Sequence, residues 1–286
     1  SQFELVTSNL GGGTGSNTGL GTRLLLAGGR ISAPAFTDNI EFVTISTLGN
    51  AQDFGTLAQS HGNGNTQGGC ASRTRGMWLS GQLGSSPSYS NIIQFVTFSS
   101  TGNASDFGDI LSARAAVGNL SNQTRAVCFA GSLSDGSKPT QIDAVTIAST
   151  GNAFDFGDMS TYVNNTANLA SSTRGIMAGG TTPTKVNTIQ FITINTSGNT
   201  VDFGDLTVTG LAANLMYNGT GYSNSTRGII HGGRDVNNNM MGTIQFITIA
   251  TTGNSSDFGD TAVSAMHQMG GSSPTRGVVG AGFNPS

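Results

Sequence analysis

Two short charged motifs recur along the chain, and their residue types and spacing suit them to make the same polar contact many times. An arginine, usually within Thr-Arg-Gly, occurs six times, and an aspartate within Asp-Phe-Gly occurs five times, both at intervals of about 50 residues. The anchor arginines are Arg23, Arg75, Arg125, Arg174, Arg227 and Arg276, and the DFG aspartates are Asp53, Asp106, Asp155, Asp202 and Asp257. An arginine and a carboxylate tolerate burial far better together than apart. We therefore predict a repeated ring of ion pairs between the two sets that fixes the packing of the units.

The rest of the chain carries little charge, which strengthens that expectation and excludes one class of partner. Charged residues make up 9% of the sequence, and six of the 12 basic residues are the anchor arginines. Nine of the 15 acidic residues are the five DFG aspartates and the aspartates that directly follow four of the Asp-Phe-Gly runs, Asp109, Asp158, Asp205 and Asp260. The net charge is −3 and the only lysines are Lys138 and Lys185. A protein that binds nucleic acid through its phosphates needs more basic residues than this, so we expect no such partner.

Magnesium binding of the kinase type, calcium binding and metal binding by histidine or cysteine each need more residues than these motifs supply. Asp-Phe-Gly binds magnesium in protein kinases, but here it is repeated five times without the nucleotide loop or catalytic loop of that family. Each Asp-x-x-Asp offers calcium only two carboxylates. The histidines His61, His231 and His267 occupy different positions of the repeat, and Cys70 and Cys128 have no metal-binding spacing. We predict no enzyme activity, no metal site and no cofactor, and two buried, reduced thiols.

The elements that must position the charged residues are short β-strands. Each unit has a weakly patterned strand before the arginine, an apolar strand after it, a variable loop, a β-branched and aromatic strand, a Gly-Asn pair and the Asp-Phe-Gly strand. The Gly-Asn pair is typical of a tight hairpin turn. No helical periodicity occurs. The strongest strands are predicted at Ile40–Ile45, Ile93–Phe98, Ile142–Ile147, Ile189–Ile194 and Ile244–Ile249.

Four antiparallel strands in about 50 residues, repeated along the chain, predict an all-β propeller. The unit resembles a kelch repeat, with Gly232-Gly233 at the diglycine position and Phe246 and Phe258 at the aromatic positions. It departs from kelch repeats in having phenylalanine in place of their tryptophan. Six anchor arginines predict six blades in one domain spanning residues 1–286. We expect the strand Gln2–Thr7 to close the last blade beside Val278–Gly282, with a three-stranded last blade or completion by another chain as alternatives.

A narrower resemblance bears on function. The phrase TIQFITIATTGNSSDFGD, followed by STRG in the repeating pattern, resembles the repeats of kelch-like proteins of tailed bacteriophages, particularly cyanophages. This resemblance implies a non-enzymatic virion component of the tail, fibre or capsid surface. The start SQFELVT lacks the basic and apolar regions of a signal peptide, and no apolar run is long enough to span a bilayer, so we expect synthesis in the host cytoplasm without membrane insertion. The implied partners are other virion proteins, with a homo-oligomer in the virion as a further option.

An alternative role is a glycan-binding, lectin-like propeller that recognises host-surface polysaccharide. Sugar-binding propellers usually repeat an aromatic platform, whereas this chain has one tryptophan and four tyrosines that do not recur at one position. For either role, the loops that differ most between units are the expected contact sites. These loops are Ser132–Thr140, Asn214–Ser223 and Gly232–Gly242.

Overall fold

The computed structural model of the chain is built from β-strands. It describes residues 14–15, 23–32, 35–45, 47–61, 69–84, 88–207, 219–235, 237–265, 269–273 and 276–280. Within these ranges every regular element is a strand, and no helix is long and apolar enough to cross a membrane. The all-β prediction is therefore confirmed for the described part of the chain.

The strands are short, as expected for a sequence that turns every few residues. In chain order they are β1 (Thr14–Gly15), β2 (Arg23–Ala27), β3 (Arg30–Ser32), β4 (Ala35–Phe36), β5 (Asn39–Thr44), β6 (Gln52–Thr56), β7 (Gly69–Ala71), β8 (Arg75–Gln82), β9 (Tyr89–Thr97), β10 (Ser105–Asp109), β11 (Ala115–Ser121), β12 (Arg125–Ser132), β13 (Gln141–Thr146), β14 (Phe154–Asp158), β15 (Ala167–Ala170), β16 (Arg174–Ala178), β17 (Thr181–Thr182), β18 (Thr184–Lys185), β19 (Thr188–Thr193), β20 (Val201–Asp205), β21 (Thr220–Ser223), β22 (Arg227–His231), β23 (Thr243–Thr248), β24 (Ser256–Asp260), β25 (Met269–Ser272) and β26 (Gly277–Gly280).

Five antiparallel sheets follow one another along the chain and form the blades of a β-propeller. Blade 1 is β2-β5-β6, blade 2 is β7-β8-β9-β10, blade 3 is β11-β12-β13-β14, blade 4 is β15-β16-β19-β20 and blade 5 is β21-β22-β23-β24. The first strands of blades 2 to 5 contact one another in turn, and the Asp-Phe-Gly strand is outermost in each blade. The short β1 pairs in parallel with β11, and β3–β4 and β17–β18 are small hairpins within loops.

The number of blades differs from the prediction of six. The sixth anchor arginine, Arg276, precedes β26, which pairs only with β25 in the described part of the chain. This β25–β26 pair lies between blade 5 and blade 1, because β25 contacts both β21 and β2. The number of anchor arginines exceeds the number of described blades, because an anchor arginine marks only the second strand of a unit. It does not indicate whether the third and fourth strands of that unit follow. The predicted closing strand Gln2–Thr7 lies outside the described residues, as do residues 281–282.

The core lies between neighbouring blades. Four clusters of buried apolar side chains join blades 1 and 2, blades 2 and 3, blades 3 and 4, and blades 4 and 5. The third strands of blades 2, 3 and 4 each contribute side chains to two clusters, one from each face, as their apolar pattern predicts. Among the described residues, no such cluster joins blade 5 to blade 1.

The diglycine position has a specific backbone requirement. The residue five positions after each of the first five anchor arginines adopts a left-handed conformation, with φ between 58° and 70°. These residues are Gly28, Ser80, Ala130, Gly179 and Gly232. Glycine enters this region without a steric penalty, which explains its recurrence there.

The Gly-Asn pairs do not form the predicted two-residue turns. Residues 147–153 separate β13 from β14, and the chain reverses before the pair, where the Ser149 amide donates to the Thr146 carbonyl at 3.3 Å. The Gly-Asn pair then extends along the edge of the preceding blade. Its role is therefore in contact between blades, which a sequence pattern read within one unit cannot show.

Candidate functional site: the joints between blades and one open joint

Each anchor arginine begins or directly precedes a strand, and five of the six reach across to the next sheet. The Nη1 atom of Arg125 donates to the carbonyl of Ile194 at 3.1 Å, at the end of the third strand of blade 4. Four other anchor arginines donate from Nη1 to the equivalent carbonyl of the next sheet, at distances of 2.5–3.5 Å. The pairs are Arg23 with Phe98, Arg75 with Ile147, Arg174 with Ile249 and Arg276 with Ile45. Arg276 thereby links the β25–β26 pair to blade 1.

The first five anchor arginines lie over phenylalanine rings of their own blades. In four blades the guanidinium carbon is 4.6–4.7 Å from the ring centroid of the phenylalanine on the third strand. Blade 3 has Ala144 at this position, and there Arg125 lies over Phe154 at 5.5 Å. Phe154 is directly opposite Ala144 on the neighbouring strand. The cation–π contact is therefore kept by moving the ring across one strand pair.

This exchange gives a testable prediction about blade 3. Replacing Phe154 by serine should lower the free energy of unfolding by about 1 kcal/mol, because Arg125 loses its ring. Adding Ala144→Phe should recover most of that loss, since it gives blade 3 the arrangement of Phe95 and Ser105 in blade 2. Urea unfolding followed by the fluorescence of the buried Trp78 measures both variants. A double variant no more stable than Phe154→Ser alone would contradict the exchange.

The predicted ion pairs between anchor arginines and DFG aspartates are not formed. No pair from the two sets lies within 4 Å in the part of the chain that the structure describes. All five DFG aspartates are exposed at the outer edge of their blades. The carboxylates of Asp106, Asp155 and Asp257 accept from the amide two residues later at 3.0–3.1 Å, at a bulge in the outer strand. The prediction is wrong because a strand-end carbonyl satisfies the arginine and a local amide satisfies the carboxylate.

The outer strand of each blade is bonded to the Gly-Asn tip of the next blade. In the joint between blades 2 and 3, the Gly151 amide donates to the Phe107 carbonyl at 2.7 Å and the Ala153 amide donates to the Asp109 carbonyl at 2.8 Å. The Asp109 amide donates to Oδ1 of Asn152 at 3.0 Å. The same three bonds occur in the joints between blades 1 and 2, 3 and 4, and 4 and 5. Four complete joints therefore share one pattern.

Close approach explains the glycine of Asp-Phe-Gly. A Cβ atom on Gly108 would collide with the carbonyl of Gly151, and Gly55, Gly157 and Gly204 meet the next tip in the same way. These glycines are therefore needed where a tip docks. Gly259 of blade 5 differs, because nothing lies within 4 Å of the position of its Cβ.

Blade 5 presents the outer half of a joint with no described partner. Phe258 is 57% exposed, whereas its four counterparts Phe54, Phe107, Phe156 and Phe203 are only 2–3% exposed. Arg227 lies over Phe246 at 4.7 Å like the other anchor arginines. It is exposed, and it donates to no strand-end carbonyl among the described residues. The contacts missing here are those that the next blade supplies elsewhere.

Blade 1 presents the opposite half. Ala51 in its Gly-Asn tip is exposed, whereas its counterparts Ala104, Ala153, Thr200 and Ser255 are buried by the preceding blade. Leu48 in the same tip is 97% exposed. We call these two half-joints and the edge of β26 that faces away from β25 the open joint. It is lined by Arg227, Phe258, Gly259, Leu48 and Ala51.

A buried ion pair that was not predicted from the sequence lies at another contact between blades. The third strands of blades 2, 4 and 5 carry a glutamine at one position, and Gln94 bonds to the backbone of Gln59 in blade 1 at 2.8 and 3.0 Å. Blade 3 has Asp143 there, which accepts from the Leu111 amide at 3.1 Å. Nη2 of Arg114 lies 2.6 Å from Oδ2 of Asp143, and both side chains are fully buried. Burial raises the pKa of Asp143, and the Arg114 charge opposes that rise.

The remaining candidate groups do not converge on a catalytic site. Cys70 and Cys128 are buried free thiols, as predicted, and burial raises the pKa of Cys128 to about 12. His61 and His231 are buried in different blades, and His267 lies outside the described residues. No group of three or more potential metal ligands is present among the described residues.

Two of the predicted contact loops are compact. Asp235 is buried and accepts the amides of Asn237 and Asn239 at 2.9 and 2.8 Å. Lys185 of the neighbouring blade donates to the Asp235 carbonyl at 2.6 Å, so this loop is tied to blade 4. Loop residues 134–138 are exposed around a turn at Asp135. Residues 214–218 of the third loop lie outside the described residues, and partner contact at all three loops stays a prediction.

Comparison with known proteins does not assign the chain to a family. No protein-family model matches it, and no curated protein is significantly similar to it. The role proposed for the open joint therefore rests on its geometry.

Proposed function

We propose that this chain is a non-enzymatic docking module of a bacteriophage virion, in the tail, a fibre or the capsid surface. The open joint is the observation that carries the docking role. A large aromatic ring, an arginine and a strand edge are presented together at a place where, among the described residues, the repeated contact between blades is incomplete. Exposed strand edges and apolar patches of this kind mark sites of association.

The surrounding fold suits such a role because it is rigid and weakly charged. Four identical joints hold the blades in register, so the two halves of the open joint are presented in a fixed arrangement. The chain has a net charge of −3 and only 9% charged residues. Recognition would therefore depend on shape and backbone hydrogen bonds more than on long-range electrostatics. We also propose that the β25–β26 pair is the inner half of a sixth blade.

The virion assignment rests on the resemblance of the repeats to those of phage kelch-like proteins. It predicts other virion proteins as partners, with a second copy of the chain as a further option. It does not require nucleic acid, a membrane or a cofactor.

Site-specific photocrosslinking in assembled particles tests this proposal. A photoreactive amino acid in place of Phe258 should form a covalent adduct with another virion protein. The same substitution at Val201 is the matched control, since Val201 is 54% exposed on the outer strand of a complete joint. Equal crosslinking at both positions, or no adduct at position 258 in particles that contain the protein, would contradict docking through the open joint.

The alternative of a glycan-binding propeller makes a different prediction for the same particles. It requires saturable binding of host polysaccharide, weakened by substitutions in the variable loops and unaffected by substitution of Phe258. That outcome would replace the docking proposal.

A further inference from the structure

We infer that the open joint takes a β-hairpin of a partner polypeptide that carries the same strand pattern as the units of this chain. The inference rests on the proposed docking function and names the chemistry of the partner. It follows from three contacts that complete joints of this molecule make and that no described residue makes at the open joint.

The first contact is the free edge of β26. In blades 1 to 5, the strand that follows the anchor arginine pairs on its far side with the third strand of the blade. β26 pairs with β25 on one edge, and no described strand lies on the other. Val278 and Val279 of β26 are half-buried, so an incoming strand would also bury apolar side chains. Adding an antiparallel strand to such an edge is a common mode of peptide recognition.

The second contact lies on blade 5 and specifies the end of that strand and the turn after it. Arg227 needs the carbonyl of a strand end, as Arg174 takes the carbonyl of Ile249 at 2.9 Å. Phe258 and Gly259 need a tip that covers the ring and fits against the glycine. In complete joints the tip is Gly-Asn, whose asparagine accepts an amide from the outer strand at 2.9–3.1 Å. The incoming strand should therefore end in a Gly-Asn tip.

The third contact lies on blade 1 and requires a second strand. The tip residue Ala51 is exposed, whereas its counterparts in complete joints are buried by the outer strand of the preceding blade, and no described outer strand precedes Ala51. In a complete joint, the glycine amide of the tip donates to the carbonyl of the Asp-Phe-Gly phenylalanine in the preceding blade. One strand cannot both pair with β26 and cover this tip, because the third and outer strands of a blade lie side by side. The occupant that meets all three contacts is therefore a hairpin of two strands joined by a Gly-Asn tip.

A peptide from the chain itself serves as the probe. Residues 243–260, the third strand, tip and outer strand of blade 5, carry the required pattern, and a fluorescent label at the amino end allows titration by anisotropy. The full chain should bind this peptide saturably with 1:1 stoichiometry. A peptide with Asn254→Ala should bind several-fold more weakly, because it loses the acceptor for the Asp260 amide of the protein.

Variants of the protein locate the binding site. Arg227→Gln and Phe258→Ser should each weaken binding about tenfold or more, since each removes one side of the joint. Val201→Ser is the matched control and should leave the affinity unchanged, because Val201 has similar exposure at a complete joint. Circular dichroism checks that each variant keeps the fold.

Several outcomes would overturn the inference. They are no saturable binding to the wild-type chain, equal affinity for wild type and the Arg227→Gln and Phe258→Ser variants, or a homodimer in solution that the peptide does not dissociate. A rise in peptide affinity on Phe3→Ser would show that the chain's own first residues compete for the joint, which also overturns a partner hairpin. Crosslinking at position 258 could still succeed in those cases, so failure here is distinguishable from failure of the docking proposal.

Discussion

Replacing Asp143 by alanine should lower the free energy of unfolding by about 3–5 kcal/mol, the cost of leaving a buried charge without its partner. The Arg114 guanidinium is fully buried, and its ionic partner is the Asp143 carboxylate at 2.6 Å. The substitution also leaves the amide of Leu111 without its acceptor. Arginine stays protonated in proteins, so the charge cannot be relieved by losing a proton. Urea unfolding monitored by Trp78 fluorescence provides the measurement.

The chain offers its own control for this experiment. Blade 4 has Gln190 at the position of Asp143, because each pairs with the residue three positions after the anchor arginine of its blade. Val163 precedes its anchor arginine by the same number of residues as Arg114. The double variant Asp143→Gln and Arg114→Val should therefore recover most of the lost stability, because it removes the buried charge and restores a side chain that can both donate and accept. A double variant as unstable as Asp143→Ala would show that the cost comes from packing and not from the unpaired charge.

Lowering the pH from 6.5 to 4 should remove up to about 3 kcal/mol of stability through His61 alone. Burial lowers the pKa of His61 from 6.5 to about 4. The folded state holds the imidazole neutral, whereas the unfolded chain binds a proton below about pH 6.5. The contribution of His61 is therefore fully present above pH 6.5 and is lost as the pH falls to about 4, at about 1.4 kcal/mol for each pH unit.

The variant His61→Gln isolates this effect from the titration of the other groups. Its stability should fall less steeply between pH 6.5 and 4 than that of the wild type, and the difference between the two slopes is the contribution of His61. Denaturant unfolding at half-unit pH steps measures both curves. Parallel curves over this range would show that the imidazole is already protonated in the folded state or becomes solvated without cost.

The repeat period and the strand types were predictable from sequence because both depend on local patterns. The anchor arginines do mark strand starts, and the Asp-Phe-Gly runs do form outer strands, as in β12 and β14. The β-branched third strands have both faces covered, as their apolar residues indicate. The number of complete blades was not predictable in this way, since it depends on which strands find partners across the ring.

The partners of the charged residues could not be predicted for a different physical reason. Every residue has a carbonyl group, so nothing in the sequence distinguishes the carbonyl of Ile194 as the acceptor for Arg125. The buried pair did leave a signal. Asp143 replaces a glutamine found at the equivalent position of three other units, and Arg114 is among the few arginines outside the anchors. Two unusual charges in one unit could have indicated a pair.

Each joint connects only two adjacent blades, and this arrangement affects how stability is distributed along the array of blades. Units coupled only to their neighbours behave as a one-dimensional array, and such an array frays from its ends. A complete circle has no ends, but among the described residues the outer layer of this array has two of them, at the outer strand of blade 5 and at the tip of blade 1. The β25–β26 pair links the two blades only in the inner layer. A ligand that bridges them would abolish both ends at once. Its binding energy would then protect blades that it never touches, and amide exchange on the far side of the propeller would slow on binding.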